Sequence, residues 1–241
     1  MSNRYVTLAR GLGRLANGLL TALLPQSCAL CGGHAGRWPV CDGCADDLPV
    51  RETPGCPRCA DDHFGTGDCL RCQQTNPSFD ATVAALPYAF PADQLIRQFK
   101  YHGRLHLADW LAGWLIAALP AHERFDTVIP VPLHTDRLRE RGFNQSAELA
   151  RRIAPRLAIT ADLTACIRLR PTLAQAQLDR DARSANVRDA FLCRRDLHGQ
   201  RILLIDDVMT TGSTADAAAL ALKQAGADRV VVGLIARAPH P

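Results

Sequence analysis

The 241-residue sequence predicts an α/β protein with a mostly parallel sheet flanked by helices, preceded by a small cysteine-rich domain. Eight of the ten cysteines lie between residues 28 and 72. After residue 76, apolar runs typical of buried strands alternate with helical patterns, as a parallel sheet with helical crossovers requires. The composition, 47% hydrophobic and 22% charged, is that of a globular protein and excludes extended disorder.

Residues 1–24 are predicted to form an N-terminal amphipathic helix. Arg4, Arg10 and Arg14 precede a short apolar run at 19–24, which mimics a signal peptide, but no small-residue cleavage site follows. A secretory signal is therefore the less favoured alternative. The longest uncharged stretch contains several polar residues and a proline, so no transmembrane segment is predicted, and we expect a cytoplasmic protein.

The cysteine-rich domain, predicted at residues 25–75, contains the spacing C-x2-C-x9-C-x2-C twice, the second copy 28 residues after the first. Two C-x2-C knuckles can supply four thiolates to one tetrahedral zinc ion. Because four cysteines leave no open coordination position, two structural zinc ions are expected. The eight predicted ligands are Cys28, Cys31, Cys41, Cys44, Cys56, Cys59, Cys69 and Cys72.

Disulfides or an iron–sulfur cluster are the less favoured interpretations of these cysteines. The missing signal peptide argues against disulfides, as do Cys166 and Cys193, which are isolated in the sequence. Loss of metal should unfold the domain, because metal binding supplies its folding energy. The pairing of the knuckles stays open: it is sequential, or cross-braced with one ion held by Cys28, Cys31, Cys56 and Cys59.

Charge divides the chain in the same way. Residues 1–75 hold 7 arginines and 7 acids, whereas residues 76–241 hold 21 basic and 17 acidic residues and account for the formal net charge of +4. Within that second part, residues 137–201 hold 14 arginines against 7 acids. This local excess suits a polyphosphate or a nucleic-acid backbone as ligand.

The α/β domain, predicted at residues 76–241, follows a polar segment at 74–80 that is typical of a linker. A long polar stretch at 170–189 is typical of a functional or mobile loop. Predicted strands lie at 126–132, 163–169, 190–193, 201–205 and 229–235. Predicted helices lie at 93–119, at 145–157 with Asn144 as N-cap, and at 214–225.

The most informative segment runs from Ile202 to Thr214. A predicted parallel strand delivers Asp206 and Asp207 at its C-terminal end, the edge at which α/β sheets bind ligands. A hydroxyl-rich loop then leads into a helix whose first amides can hold a phosphate. Paired carboxylates could bind the hydroxyls of a ribose and attract Mg²⁺. The sequence therefore predicts a ribose-phosphate site and, lacking a Gly-x4-Gly-Lys motif, excludes a nucleoside-triphosphatase loop.

This segment resembles the phosphoribosyl pyrophosphate (PRPP) signature of type I phosphoribosyltransferases, and the rest of the chain is similar to the ComF/GntX family, named for competence protein F. The resemblance covers nearly all of residues 25–237. It implies a type I phosphoribosyltransferase-like fold with a small N-terminal double zinc ribbon. The motifs that carry it are the two cysteine sets, Pro130–Leu133, Arg141–Gln145, Thr172 and Gln175, Arg183 to Val187, and Phe191.

The resemblance also implies roles for individual residues. Asp206 and Asp207 would contact the ribose hydroxyls of Mg²⁺-bound PRPP, and Arg180 or Arg183 would neutralise the departing pyrophosphate when the 170–189 loop closes. The 5-phosphate would be held by Thr210, Thr211, Gly212, Ser213 and Thr214. The pyrophosphate loop would be the turn that contains Leu133, His134 and Arg137.

Several assignments stay open. Arg141 and Asn144 either order the pyrophosphate loop or only begin a helix, and Lys100 either contacts phosphate or is a solvated helix charge. Residues 80–125 are the expected hood for the acceptor. The protein is then a phosphoribosyltransferase with an unidentified acceptor, a natural-transformation accessory that binds single-stranded DNA or other competence proteins, or a PRPP-sensing regulator. Few aromatic residues interleave with the arginines, which weakens the DNA interpretation.

Overall fold

The computed structural model describes residues 26–51, 55–63, 65, 67–170 and 190–239. The predicted helix at 1–24 and most of the predicted loop at 170–189 lie outside these ranges. None of the helices in the described ranges is long and apolar enough to span a membrane.

A five-stranded, fully parallel sheet forms the centre of the described α/β region, in the order β1-β7-β6-β2-β3. Strands β4 and β5 pair separately as an antiparallel ribbon. The strands are β1 Ala81–Pro87, β2 Thr127–Pro130, β3 Thr160–Ala161, β4 Cys166–Arg168, β5 Phe191–Cys193, β6 Arg201–Met209 and β7 Arg229–Arg237. The predicted mostly parallel sheet is therefore confirmed.

Helices of the second unit flank this sheet. The helices of the described residues are α1 Asp42–Asp46, α2 Leu70–Thr75, α3 Ala92–Tyr101, α4 Leu107–Ala118, α5 Thr135–Arg141, α6 Gln145–Leu157 and α7 Ser213–Gln224. Asn144 caps α6 as predicted, since its side-chain oxygen accepts from the amides of Ser146 and Ala147. The single helix predicted at 93–119 is two helices, because the chain turns at Gly103, where φ is +60°.

The central strands read as continuous apolar runs because both of their faces are covered. Helix α4 packs on β1 and β7, and α6 packs on β2 and β6. A second core joins α7 and the β4–β5 ribbon to the sheet, and it includes Leu204 and Leu234. Residues 80–125 contribute the edge strand β1 and the largely buried helix α4, and the acceptor hood expected there stays a prediction.

The chain divides into two compact units between Leu48 and Pro49, so the predicted boundary at residue 75 differs from the structural one. The predicted linker at 74–80 is anchored in the second unit. Phe79 is buried, the Ser78 amide donates to Asp216, and Asp80 exchanges two hydrogen bonds with Val230. The second cysteine set therefore folds as part of the α/β unit.

Candidate functional site

The eight predicted zinc ligands form two groups of four among the described residues. The pairing is sequential, so the cross-braced alternative is wrong: one group is Cys28, Cys31, Cys41 and Cys44, and the other is Cys56, Cys59, Cys69 and Cys72. The sulfurs of Cys31 and Cys41 lie 3.8 Å apart and those of Cys59 and Cys69 lie 3.7 Å apart. Tetrahedral zinc with bonds of about 2.3 Å places its sulfurs about 3.8 Å apart, so both groups fit the ion.

Backbone amides support these thiolates. The amides of Leu30 and Cys41 donate to the sulfur of Cys28, and the amide of Cys69 donates to the sulfur of Cys56. Burial raises the pKa of the Cys28 thiol, but the amide donors outweigh it and lower that pKa to about 6. The pKa of the Cys56 thiol is lowered for the same reason, and the thiolate is the form that zinc binds, so each group contains a cysteine held in its ligating form.

The predicted ribose-phosphate motif forms a pocket between β6 and α7. Strand β6 continues through both aspartates to Met209, so the carboxylates stand within the strand and do not follow it. Asp206, Val208 and the loop from Met209 to Ala215 line the pocket. Gly212 is the N-cap of α7, with φ at +81° and no capping side chain, and the hydroxyls of Thr211 and Ser213 lie 3.0 Å apart. This geometry suits an anion at the start of the helix.

The two carboxylates occupy different environments. Nζ of Lys100 lies 3.1 Å from Oδ1 of Asp207, and both side chains are largely buried. Burial lowers the pKa of Lys100, but the charges of Asp207 and Asp206 outweigh it, so that pKa is raised. Lys100 is therefore an ion-pair partner inside the site, and its interpretation as a solvated helix charge is wrong.

The Asp206 carboxyl ionises less readily than an exposed aspartate does. Burial and the neighbouring charge of Asp207 raise its pKa to about 7, although Lys100, the Asp207 amide and the Ser146 hydroxyl favour the carboxylate. The Ser146 hydroxyl donates to Oδ1 of Asp206 over 3.1 Å. The site therefore holds a buried acid whose pKa is raised, which is common at functional positions.

The start of α6 positions this hydroxyl. Besides capping the helix, Asn144 donates from its side-chain amide to the carbonyl of Val131 over 3.0 Å. It thereby links the chain after β2 to the helix that carries Ser146, which supports the predicted ordering role of Asn144. Arg141 instead stacks on the ring of Tyr101 at 5.0 Å.

The predicted pyrophosphate turn is shorter than expected. Helix α5 begins at Thr135, so only Leu133 and His134 of the predicted residues lie in the connection that follows β2. His134 caps α5, accepting at Nδ1 from the Asp136 amide. Arg137 is exposed and pairs with Glu140 at 2.9 Å. None of these contacts assigns a ligand, and the pyrophosphate role stays a prediction.

Arg168 is a site residue that the sequence analysis missed. It lies on β4, stacks on Phe191 at 5.4 Å, and interacts electrostatically with Asp206 and Arg137. Burial lowers its pKa, and the charge of Asp206 opposes that effect. No sequence signal identified it, because β4 joins the site only through tertiary packing. Arg180 and Arg183, the predicted pyrophosphate contacts, lie outside the described residues.

Cys166 and Cys193, isolated in the sequence, lie directly opposite each other in the β4–β5 ribbon. Cys166 is buried in the core, as predicted, and Cys193 is half-buried. Both are free thiols.

Comparison with known proteins identifies the family. A double zinc ribbon domain matches residues 19–74. Competence protein F of Haemophilus influenzae is 29% identical over 88% of this chain and 96% of its own length. The DNA utilization protein YhgH of Shigella flexneri is 32% identical over 89% of this chain and 98% of its own length. The chain belongs to the ComF family. Competence protein ComFC of Streptococcus pneumoniae is a more distant relative, 25% identical over 79% of this chain.

Two solved structures are similar to part of the ComF-family chain. Glutamine PRPP amidotransferase from B. subtilis matches with a TM-score of 0.40 and 22% identity, and Leishmania donovani UMP synthase with a TM-score of 0.32 and 18% identity. Each match covers 57% of this chain, and it covers 30% and 24%, respectively, of those longer proteins. The predicted mostly parallel α/β sheet and the predicted double zinc ribbon are confirmed.

Proposed function

We propose that this ComF-family protein binds PRPP with Mg²⁺ at Asp206–Thr214 and transfers its phosphoribosyl group to an unidentified acceptor in DNA utilisation. The observation that carries the proposal is a single pocket joining Asp206 to the hydroxyl loop and the uncapped start of α7. In ribose 5-phosphate, the 2- and 3-hydroxyls lie at the opposite end of the sugar from the phosphate. Carboxylates and helix amides at the two ends of one pocket match that arrangement.

The residues of the site divide the work. The loop from Thr210 to Thr214 would bind the 5-phosphate through hydroxyls and the first amides of α7. Asp206 and Asp207 would accept hydrogen bonds from the ribose hydroxyls. Their carboxylate oxygens are also ligands of the kind that Mg²⁺ prefers. Lys100 holds the Asp207 carboxylate in place. When bound, Mg²⁺ supplies charge neutralisation at the pyrophosphate.

Positive side chains near the carboxylates would stabilise the leaving pyrophosphate. Arg168 is close enough to interact with the charge of Asp206, and Arg137 lies near Arg168. Arg180 and Arg183 are the further cations proposed for this role. Charge that develops on the leaving group is stabilised best by cations already fixed in place, so the protein needs little acid–base chemistry of its own.

Titration calorimetry of the zinc-loaded protein with PRPP and Mg²⁺ tests the proposal. We expect saturable binding by the wild type and binding about ten- to hundredfold weaker for Asp206→Asn, because hydrogen bonds to charged groups contribute about 1.5–3 kcal/mol. The double variant Asp206→Asn/Asp207→Asn should show no measurable binding. Asp228→Asn is the matched control, since Asp228 is exposed and precedes β7 at the opposite end of the sheet.

The absence of wild-type binding under conditions where the protein is folded and holds two zinc ions would overturn the proposal. Equal losses in Asp206→Asn and Asp228→Asn would also contradict it, because the effect would then be one of net charge. Steady-state release of pyrophosphate in the presence of candidate bases and amines separates a transferase from a PRPP-sensing regulator, which would bind without turnover.

A second candidate function is supported by the names of the relatives. They are called DNA utilization and competence proteins, and residues 137–201 of this chain hold an excess of arginines. Single-stranded DNA or a competence protein would then be the ligand. DNA binding should weaken steeply between about 50 and 200 mM salt if these arginines contact phosphates. Binding that does not change with salt would count against this alternative.

A further inference from the structure

The second cysteine cluster touches the loop of the proposed phosphate site through one buried side chain. Arg237, at the end of β7, is 2% exposed. Its Nε donates to the carbonyl of Cys59 over 2.9 Å, and its Nη1 donates to the carbonyls of Met209 and Thr210 over 3.1 and 2.7 Å. Its Nη2 lies 3.3 Å from Oδ2 of Asp61. One guanidinium therefore joins the cluster to the beginning of the loop.

This contact fixes the direction of backbone donors. In a planar trans peptide the carbonyl and the following amide point in opposite directions. Because the carbonyls of Met209 and Thr210 point at Arg237, the amides of Thr210 and Thr211 point away from it. Arg237 is thus a positioning residue for two amides of the loop.

Further hydrogen bonds hold the same cluster against the α/β core. Thr82 of β1 donates from its amide to Pro57 and from its hydroxyl to the Arg58 carbonyl over 2.7 Å. The Ser78 amide donates to Asp216 in the first turn of α7 over 2.6 Å. The cluster is therefore fixed beside the start of α7 by several independent contacts.

The positively charged side chain of Arg71 extends from this cluster to the loop. It lies on α2, between the ligands Cys69 and Cys72. A Cβ atom placed on Gly212 would lie 3.7 Å from Nη2 of Arg71, which puts the guanidinium against the N-cap of α7. Nη1 of Arg71 is buried and has no hydrogen-bond partner within the described ranges. A buried, unpaired guanidinium nitrogen is costly, and an anion beside it would remove that cost.

We propose that the second cysteine cluster completes the phosphate subsite: Arg71 contacts the bound 5-phosphate, while Arg237 holds the loop that surrounds it. This inference rests on the proposed function, since it assigns a further contact to the same ligand. It makes the second metal site a part of ligand binding in addition to its structural role.

Calorimetry with PRPP, ribose 5-phosphate and pyrophosphate, each with Mg²⁺, tests the inference on the full zinc-loaded chain. Arg71→Gln should bind PRPP and ribose 5-phosphate at least tenfold more weakly than the wild type, while pyrophosphate binding changes less than twofold. Arg156→Gln is the matched control: it removes the same charge from the C-terminal end of α6, where Arg156 pairs with Asp109, and should bind all three as the wild type does.

Arg71→Lys distinguishes the loss of a phosphate contact from disruption of the local structure. It keeps the positive charge and should bind ribose 5-phosphate more tightly than Arg71→Gln, with two zinc ions retained. Lysine binding no better than glutamine would assign the loss to packing and contradict the inference. Wild-type affinity in Arg71→Gln would overturn the inference alone, whereas no PRPP binding by the wild type would overturn the proposed function with it.

Discussion

The two cysteine clusters have the same internal bonding and different surroundings. In each, the amide four residues after the first cysteine donates to the carbonyl of that cysteine: Gly32 donates to Cys28 over 2.9 Å, and Ala60, its counterpart 28 residues later, donates to Cys56 over 2.7 Å. The first cluster belongs to the unit that ends at Leu48, and Cys31 is exposed. In the second cluster Cys56, Cys59 and Cys72 are part of the α/β core.

The difference shows that the arrangement of the four sulfurs depends only on the repeat itself. The effect of each metal ion on the stability of the protein depends on the residues that pack around its cluster. The sulfur contacts, such as Cys31–Cys41 and Cys59–Cys69, form within each pair of knuckles. The same spacing therefore gives the same arrangement of four sulfurs twice. Arg237 and Thr82 contact carbonyls of the second cluster. We therefore expect loss of the second ion to affect the α/β unit and its ligand, and loss of the first to have a local effect.

The largest expected difference is between Cys31→Ser and Cys59→Ser, which change counterpart ligands. Each should lower the bound zinc from two ions to one. Cys59→Ser should lower the melting temperature of the α/β unit by about 10 °C or more, because several kcal/mol of metal-linked folding energy are lost from its core. Cys31→Ser should lower it by less than about 3 °C. Differential scanning calorimetry with a zinc assay measures both quantities.

PRPP binding gives the same pair of variants a second readout. Cys31→Ser should retain wild-type affinity, and Cys59→Ser should lose it. Equal shifts of the melting temperature in the two variants would show that the clusters are equivalent, and the distinction between them would then be wrong.

The same contrast explains what could be predicted from the sequence. The eight ligands and the 28-residue repeat follow from spacing, because a knuckle is built from residues adjacent in the chain. The pairing stayed open, since spacing alone permits either arrangement of two knuckles. The linker predicted at 74–80 was wrong because its polar residues are satisfied by Asp216 and Val230, far along the chain.

The residues of the candidate ligand pocket also fall into those that could be predicted from the sequence and those that could not. The loop at Asp206–Thr214 and the cap at Asn144 could be predicted because their residues are contiguous in the chain; the cap is confirmed, and the PRPP-binding role of the loop stays a prediction. Arg168 and Arg237 were missed, because an arginine on a strand reveals its role only when the packed neighbours are known. The strand was also predicted to end at Ile205, whereas pairing with β7 extends it to Met209.

A smaller effect should come from the pH dependence of PRPP binding at Asp206. Burial and the charge of Asp207 raise the pKa of Asp206 to about 7, yet ribose hydroxyls and Mg²⁺ prefer its carboxylate. Below about pH 7, PRPP binding should therefore release a proton and weaken by up to tenfold per pH unit, and above about pH 8 it should be constant. Calorimetry in buffers of different ionisation enthalpy measures the protons released.

Two controls accompany the pH series. Asp206→Asn should bind weakly at every pH with no proton release, whereas Cys31→Ser should keep the wild-type profile. The sign for folding is the opposite: the protonated form of Asp206 stabilises the unliganded fold, fully so below the pKa of the unfolded chain, and that contribution is lost as the pH rises towards 7. A profile that persists in Asp206→Asn would assign the titration to another group.

The smallest effect concerns the left-handed residue of each knuckle. Gly32 has φ at +75° with open space around it, and its counterpart Ala60 has φ at +54° and is buried. Gly32→Ala should cost about 1 kcal/mol, because a Cβ atom strains this conformation, and zinc affinity at the first cluster should fall about fivefold.

Ala60→Gly removes that strain but also a buried methyl group, and it frees the unfolded chain, so its net effect should lie within about 0.5 kcal/mol of zero. Gly43→Ala is the control on the first cluster, since Gly43 lies in α1 with no atoms near its Cβ position and an alanine there favours the helix. Competition with a chromogenic chelator compares the three variants. A loss of zinc affinity in Gly43→Ala as large as that in Gly32→Ala would contradict the conformational explanation, because of these two glycines only Gly32 has a positive φ.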